Sequence, residues 1–100
     1  MIHIRTNEEI ELIRKSALMV SATLTEVAKF LKEGITTASI DAMAEQFIRD
    51  HGGVPSFKGY GGFPASLCIS VNEVVVHGFP SDYVLKDGDI ISVEIGRAHV

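Results

Sequence analysis

Apolar residues at Ile10, Ile13, Ala17, Val20, Leu24, Val27 and Leu31 step by three and four positions. That spacing marks one face of a long α-helix. Thr6 and Glu9 fit a Thr-x-x-Glu capping box at its start, in which each side chain satisfies a backbone donor of the first turn. Glu8, Glu9 and Glu11 lie near the positive end of the helix dipole. The pattern predicts a helix over residues 7–32, stopped by Gly34 in a left-handed conformation. Its apolar stripe is expected to pack into the core. Ahead of it, Ile2 and Ile4 alternate with polar residues, as a short strand or an extended arm would. Thr36, Thr37 and Ser39 offer caps for a second helix, and Ile40, Met43, Ala44, Phe47 and Ile48 mark its buried face. His51, Gly52, Gly53 and Pro55 end it.

Beyond Pro55 the pattern changes period. Residues 58–64 form a loop with glycines at 59, 61 and 62. Residues 66–72 alternate polar and apolar, the signature of a half-buried strand. Residues 73–77 read as a second extended run, broken by Gly78 and Pro80. Asp87-Gly88 is a turn signal, and residues 89–93 read as a third strand. Two helices followed by three strands predict an α+β fold, with long N-terminal helices packed on an antiparallel sheet.

The bulk numbers narrow the class. One hundred residues make one domain or part of one. With 46% hydrophobic and 22% charged residues the chain is globular rather than disordered. A net charge of −4 argues against a generic nucleic-acid-binding module, which would carry a basic stripe. Cys68 is the lone cysteine, so no internal disulfide forms, which fits a reducing compartment. The first fifteen residues hold no continuous apolar segment of the kind a signal peptide needs, and no apolar run approaches a membrane span. A cytoplasmic protein with no membrane and no direct nucleic-acid contact is expected.

Candidate chemistry is sparse when each residue is taken alone. The glycine-rich loop lacks the Gly-Lys-Ser/Thr ending of a phosphate loop and precedes a strand rather than a helix. Composition reads it first as a flexible loop; Tyr60 and Phe63 could instead line an apolar pocket. His77 follows an apolar run beside a glycine, and its titration range suits proton transfer, but a lone histidine is a weak signal. Cys68 reads most simply as a small buried hydrophobe. His3, His51 and His99 show no metal-ligand spacing with one another.

Read together, these segments resemble the methionine aminopeptidase family of metallopeptidases (family M24). The resemblance lies in Gly59, Tyr60, Gly62, Phe63 and Pro64, in Ser-Leu-Cys-Ile-Ser-Val-Asn-Glu-Val-Val-Val-His-Gly over residues 66–78, in Pro80, and in Leu-Lys-Asp-Gly-Asp-Ile-Ile-Ser-Val over residues 85–93. The capped first helix and the Gly-Ile-Thr-Thr run at 34–37 also look like the bacterial-type enzymes. The resemblance covers residues 1–93. It implies the first half of a pita-bread (creatinase/aminopeptidase) fold. It also implies a metal-dependent enzyme that removes the N-terminal methionine from nascent chains when the second residue is small. By that resemblance His77 is an active-site residue that contacts substrate and stabilises the reacting peptide bond. Tyr60, Phe63 and Cys68 shape the pocket for the methionine side chain, and Phe57 borders it. Phe63 stands where the family often has tyrosine. The family's two divalent ions, not distinguishable here among cobalt, manganese, iron and zinc, are held by two Asp, one His and two Glu. Only the first Asp position is reached, and it holds Glu94. Implied partners are nascent polypeptide N-termini at the ribosome, and the intact enzyme is expected to be a monomer. A proline-specific or creatine-cleaving relative, and a non-catalytic pita-bread-like binding protein, are the alternatives.

Residues 94–100 depart from the family pattern. From the second base of codon 94 they reverse-translate into a widely used sequencing adapter, and an Asp codon interrupted after its first base would then read as Glu94. The native part is therefore expected to be residues 1–93, with 94–100 an artefact. This polypeptide by itself is expected to be inactive and without metal. It should leave apolar faces meant for the rest of the enzyme, an aggregation liability.

Overall fold

A computed structural model describes residues 2, 4–55, 58, 65–74, 78–96 and 98–99. Helix α1 spans Asn7–Phe30. Its capping box is formed: Thr6 Oγ1 accepts from the Glu9 amide at 3.1 Å, and Glu9 Oε1 accepts from the Thr6 amide at 2.8 Å. The helix ends at Phe30, ahead of the expected residue 32, with Leu31 already extended and Gly34 at φ 89. Ile2 and Ile4 are outside any strand and 91% exposed.

The expected core stripe of α1 holds only in the second half of the helix. Val27 is 2% exposed, and Val20 and Leu31 pack against the core. Ile10, Ile13 and Leu24 stay 46%, 53% and 37% exposed, and Ala17 is exposed too. The buried ridge is turned toward Met19, Val20, Thr23 and Val27, and α1 packs on α2. Its centre is Thr23, which the apolar pattern skips. Thr23 Oγ1 donates to the Met19 carbonyl at 2.7 Å, so the hydroxyl is satisfied within the helix and tolerates burial.

Helix α2 spans Thr37–Asp50. Thr36 is its cap, accepting from the Ser39 amide at 3.1 Å. Ile40, Ala44 and Ile48 are sealed in the core as expected, and Met43 packs at its margin. Phe47 sits at the edge, its ring 4.2 Å from that of His51.

Among the described residues four short strands follow, β1 Val54–Pro55, β2 Cys68–Val71, β3 Ile91–Glu94 and β4 Ala98–His99. They pair antiparallel as β1 with β4 and β2 with β3. The β2–β3 register sets Cys68 opposite Glu94, Ile69 opposite Val93, Ser70 opposite Ser92 and Val71 opposite Ile91. Side chains alternate across a strand, so the pair has two unlike faces. Ile69, Val71, Ile91 and Val93 join the core with Ile40, Ala44, Ile48 and Leu67. Cys68, Ser70, Ser92 and Glu94 share the opposite, more polar face.

The extended run expected over residues 73–77 is corrected in part. Asn72 adopts φ 53, and the Val74 amide donates to the Val71 carbonyl at 3.1 Å. That closes a turn through Asn72 and Glu73, so these residues leave the ladder; residues 75–77 lie outside the described residues. The third strand begins at Ile91 rather than Asp89. Asp89 is held locally instead, its carboxylate accepting from Asn72 Nδ2, the Tyr83 hydroxyl and the Lys86 amide at 2.8–3.1 Å. The two-residue strands β1 and β4 were not expected: so short a segment carries no period to read.

Candidate functional site

Two devices position the polar face of β2–β3. The first ties the entry of β2 to α2. Asp41 accepts from the Ser66 amide at 2.9 Å and the Leu67 amide at 2.7 Å. Glu45, one turn on, accepts from the Ser66 hydroxyl at 2.9 Å and from Lys58 Nζ at 2.7 Å, and pairs with Arg49 at 2.9 Å. Ser66 and Leu67 are thus fixed where the glycine-rich loop ends and β2 begins.

The two carboxylates respond oppositely to this setting. The Lys58 ammonium bonded to Glu45, helped by Arg49 and Ser66, holds its carboxyl down at about 2 from an ordinary 4.5. Burial pushes Asp41 up, against its two amide donors. Between about pH 4.5 and 2, unfolding lets Glu45 take up a proton that the folded protein refuses, so acid favours unfolding. Asp41 runs the other way, the folded state holding its proton longer. The expected result is an acid loss of stability over that window which Glu45→Gln reduces, the lowered carboxyls of Glu9 and Asp89 keeping the remainder. Denaturant midpoints at pH 5 and pH 3 check it; an unaltered acid loss in the variant would contradict it.

The second device lies at the far edge of β2. Gly78 runs beside the strand, its carbonyl accepting from the Ile69 amide at 2.8 Å and its amide donating to Ser70 Oγ at 3.1 Å. A Cβ at position 78 would overlap the Ile69 carbonyl oxygen and lie 2.9 Å from the Ile69 carbonyl carbon and Ser70 Cα. Only glycine permits this approach. Beside it opens a cleft of about 230 Å³, with Ile69, Val71, Asn72, Phe79 and Tyr83 in its wall.

Of the expected site residues, Cys68 and Glu94 come together. Their Cα atoms are register partners, so both side chains leave the same face. Cys68 is 2% exposed, and burial, then the Glu94 carboxylate, pushes its thiol up. A thiol so buried and so raised is a poor nucleophile. His77, Tyr60, Phe63 and Phe57 lie outside the described residues. Among the described residues no group of three or more His, Cys, Asp and Glu could hold a metal ion, so Glu94 offers one carboxylate and no closed site. Ser70, Gly78 and Asp41 were missed. Ser70 and Gly78 stood in the matched motif with no role attached. Asp41 gave no signal, since its amide partners lie far along the chain.

Comparison with known proteins adds the following. The model of the family described as metallopeptidase family M24 matches residues 11–99. The chain is 52% identical over 96 residues to the methionine aminopeptidase of Clostridium perfringens, covering 96% of this chain and 39% of that one. It is 53% identical over 97 residues to the methionine aminopeptidase of Clostridium acetobutylicum, with coverage of 96% and 39%. The crystal structure of methionine aminopeptidase from Thermotoga maritima superposes with a TM-score of 0.94 at 40% identity, covering 99% of this chain and 40% of that one. The chain therefore spans about two fifths of the length of the relatives it matches.

Proposed function

The chain belongs to metallopeptidase family M24, and on that premise we propose that it forms the N-terminal part of an enzyme that removes the N-terminal methionine from newly made polypeptides. Its α+β fold is the first part of the pita-bread fold of its structural neighbours. The observation that carries the proposal is the 52% identity, over 96% of the chain, to a methionine aminopeptidase. The pairing of Cys68 with Glu94 on the polar face of β2–β3 supports it.

In this reading Cys68, Tyr60 and Phe63, with Phe57 at the border, shape an apolar pocket for the methionine side chain. His77 contacts the substrate and stabilises the charge that develops on the scissile carbonyl. Methionine removal is favoured when the second residue is small. Two divalent cations belong to the proposal, since a bound pair activates water and polarises a carbonyl. Glu94 would give them one carboxylate, and their other ligands would come from outside the described residues. The substrates are nascent chains at the ribosome, met by a monomer in the cytoplasm. Among the described residues no helix is long and apolar enough to cross a membrane. The tail 94–100 is proposed to replace the native continuation, with Asp native at position 94. Reading the gene without interruption past codon 93 tests that: the same codons continuing into coding sequence would contradict it.

The proposal is tested in the full-length protein supplied with divalent metal. His77→Ala is expected to lower kcat for methionine release by about 10²-fold or more, the usual cost of losing a group that stabilises a developing charge. A kcat unchanged by that substitution would remove His77 from the reaction.

A further inference from the structure

We infer that Asp41 and Glu45, one turn apart on α2, set the depth of Cys68 in the methionine pocket, which makes them positioning residues for selectivity at the methionine side chain. The inference rests on the reading of Cys68 given above as part of that pocket. Cys68 is the first residue of the β2–β3 ladder. A residue at the end of a ladder has paired neighbours on one side only, and local opening begins at such ends. Here the two residues ahead of the ladder are held from outside the sheet. Asp41 Oδ1 accepts from both the Ser66 amide, at 2.9 Å, and the Leu67 amide, at 2.7 Å. Glu45 Oε1 accepts from the Ser66 hydroxyl at 2.9 Å. Ser66 and Leu67 are buried, so these donors have no water to fall back on if the carboxyls are removed.

The helix that carries the two carboxyls is itself fixed. Ile40, Ala44 and Ile48 seal α2 into the core, and Asp41 and Glu45 directly follow the first two of them. Lys58 and Arg49 hold the Glu45 carboxylate from its other sides, at 2.7 and 2.9 Å. Leu67 and Cys68 share one rigid peptide unit, which sets their α-carbons about 3.8 Å apart. The ladder therefore fixes Cys68 against Glu94 across the sheet, and the carboxyls of α2 fix it along the strand. Depth matters in an apolar pocket because one methylene more or less changes the rate by about 10–200-fold.

The test uses full-length protein supplied with divalent metal and two peptides, Met-Ala-Ser and its analogue beginning with ethionine, one methylene longer. Asp41→Ala is expected to raise kcat/KM for the ethionine peptide relative to the methionine peptide about fivefold or more, since a wall free to recede admits the extra methylene. A loss of folded protein alone lowers both rates equally and leaves the ratio in place. Asp41→Asn keeps an acceptor oxygen at the same reach and should hold the ratio within about twofold of the parent. Cys68→Ala should shift the ratio by itself, and adding Asp41→Ala to it should shift the ratio no further. Asp41→Ala should also speed hydrogen exchange at the Leu67 amide about tenfold or more. An unchanged ratio in Asp41→Ala, an equal shift with and without Cys68, or unchanged exchange at Leu67 would overturn the inference. Should Asp41→Ala fail to fold, Ser66→Ala removes only the bond to Glu45 and should move the ratio the same way by about twofold; no movement would overturn the inference as well. If Cys68→Ala by itself left the ratio unchanged, the pocket role of Cys68 would be what fails, and selectivity set through it would fall with that role.

Discussion

Gly78→Ala should destabilise the folded protein by at least ~2 kcal/mol, the upper part of the range for forcing a methyl into filled space. The contrast with three other glycines gives the reason. Gly34, Gly52 and Gly88 have φ of 89, 81 and 93 and open space where a Cβ would go. Alanine at those positions pays only the left-handed backbone penalty, about 1–2 kcal/mol. At Gly78 the obstacle is the Ile69 carbonyl and Ser70 Cα, which cannot rotate away as a side chain can. To admit a methyl, the segment at Gly78 must lift off β2 and break the bonds to Ile69 and Ser70. Methionine release should fall with stability. Urea midpoints for Gly78→Ala and Gly34→Ala compare the two mechanisms directly. If Gly34→Ala proves the more damaging, the close approach at Gly78 is not what holds that edge.

Full-length protein carrying aspartate at position 94 should exceed full-length protein carrying Glu94 in metal affinity and in methionine release, each about tenfold or more, because metal sites demand tight geometry. The Cα of residue 94 is fixed by the β2–β3 ladder, opposite Cys68. A glutamate there reaches farther by one C–C bond, about 1.5 Å, and the strand cannot withdraw to compensate. Shortening the side chain draws the carboxylate back toward the strand, to the depth proposed above for the first metal ligand. Calorimetric metal titration beside peptide hydrolysis reads both effects. Equal affinity and equal turnover for the two proteins would mean that the longer side chain serves this site as well.

Much of this fold was legible in the sequence, and the failures have physical causes. The capping box, the Thr36 cap, the face of α2 and the Asp87-Gly88 turn are local signals, and each appeared where its residues stood. The α1 stripe was misjudged because hydropathy scores Thr23 as polar, whereas its hydroxyl is internally bonded and buried. Ile10 and Ile13 remain open, so an apolar period shows a face able to be covered without saying what covers it. The strand expected at 73–77 failed at its start because the left-handed Asn72 turns the chain, while the valines after it suggested continuity. At the candidate site, Cys68 and Glu94 were chosen by resemblance, and the ladder register brings them together. The Ser70–Gly78 hydrogen bond joins residues eight apart through a backbone approach that no side-chain pattern encodes.

The most direct measurement is product analysis with matched peptides. The metal-loaded full-length protein is incubated with Met-Ala-Ser, Met-Leu-Ser and Ala-Pro-Ser, and the released amino acids are quantified. Free methionine should accumulate from Met-Ala-Ser, far more slowly from Met-Leu-Ser, with no alanine from Ala-Pro-Ser and no release once a chelator is added. Alanine from the proline peptide without methionine from the first, or no amino acid from any of the three, would contradict the assignment.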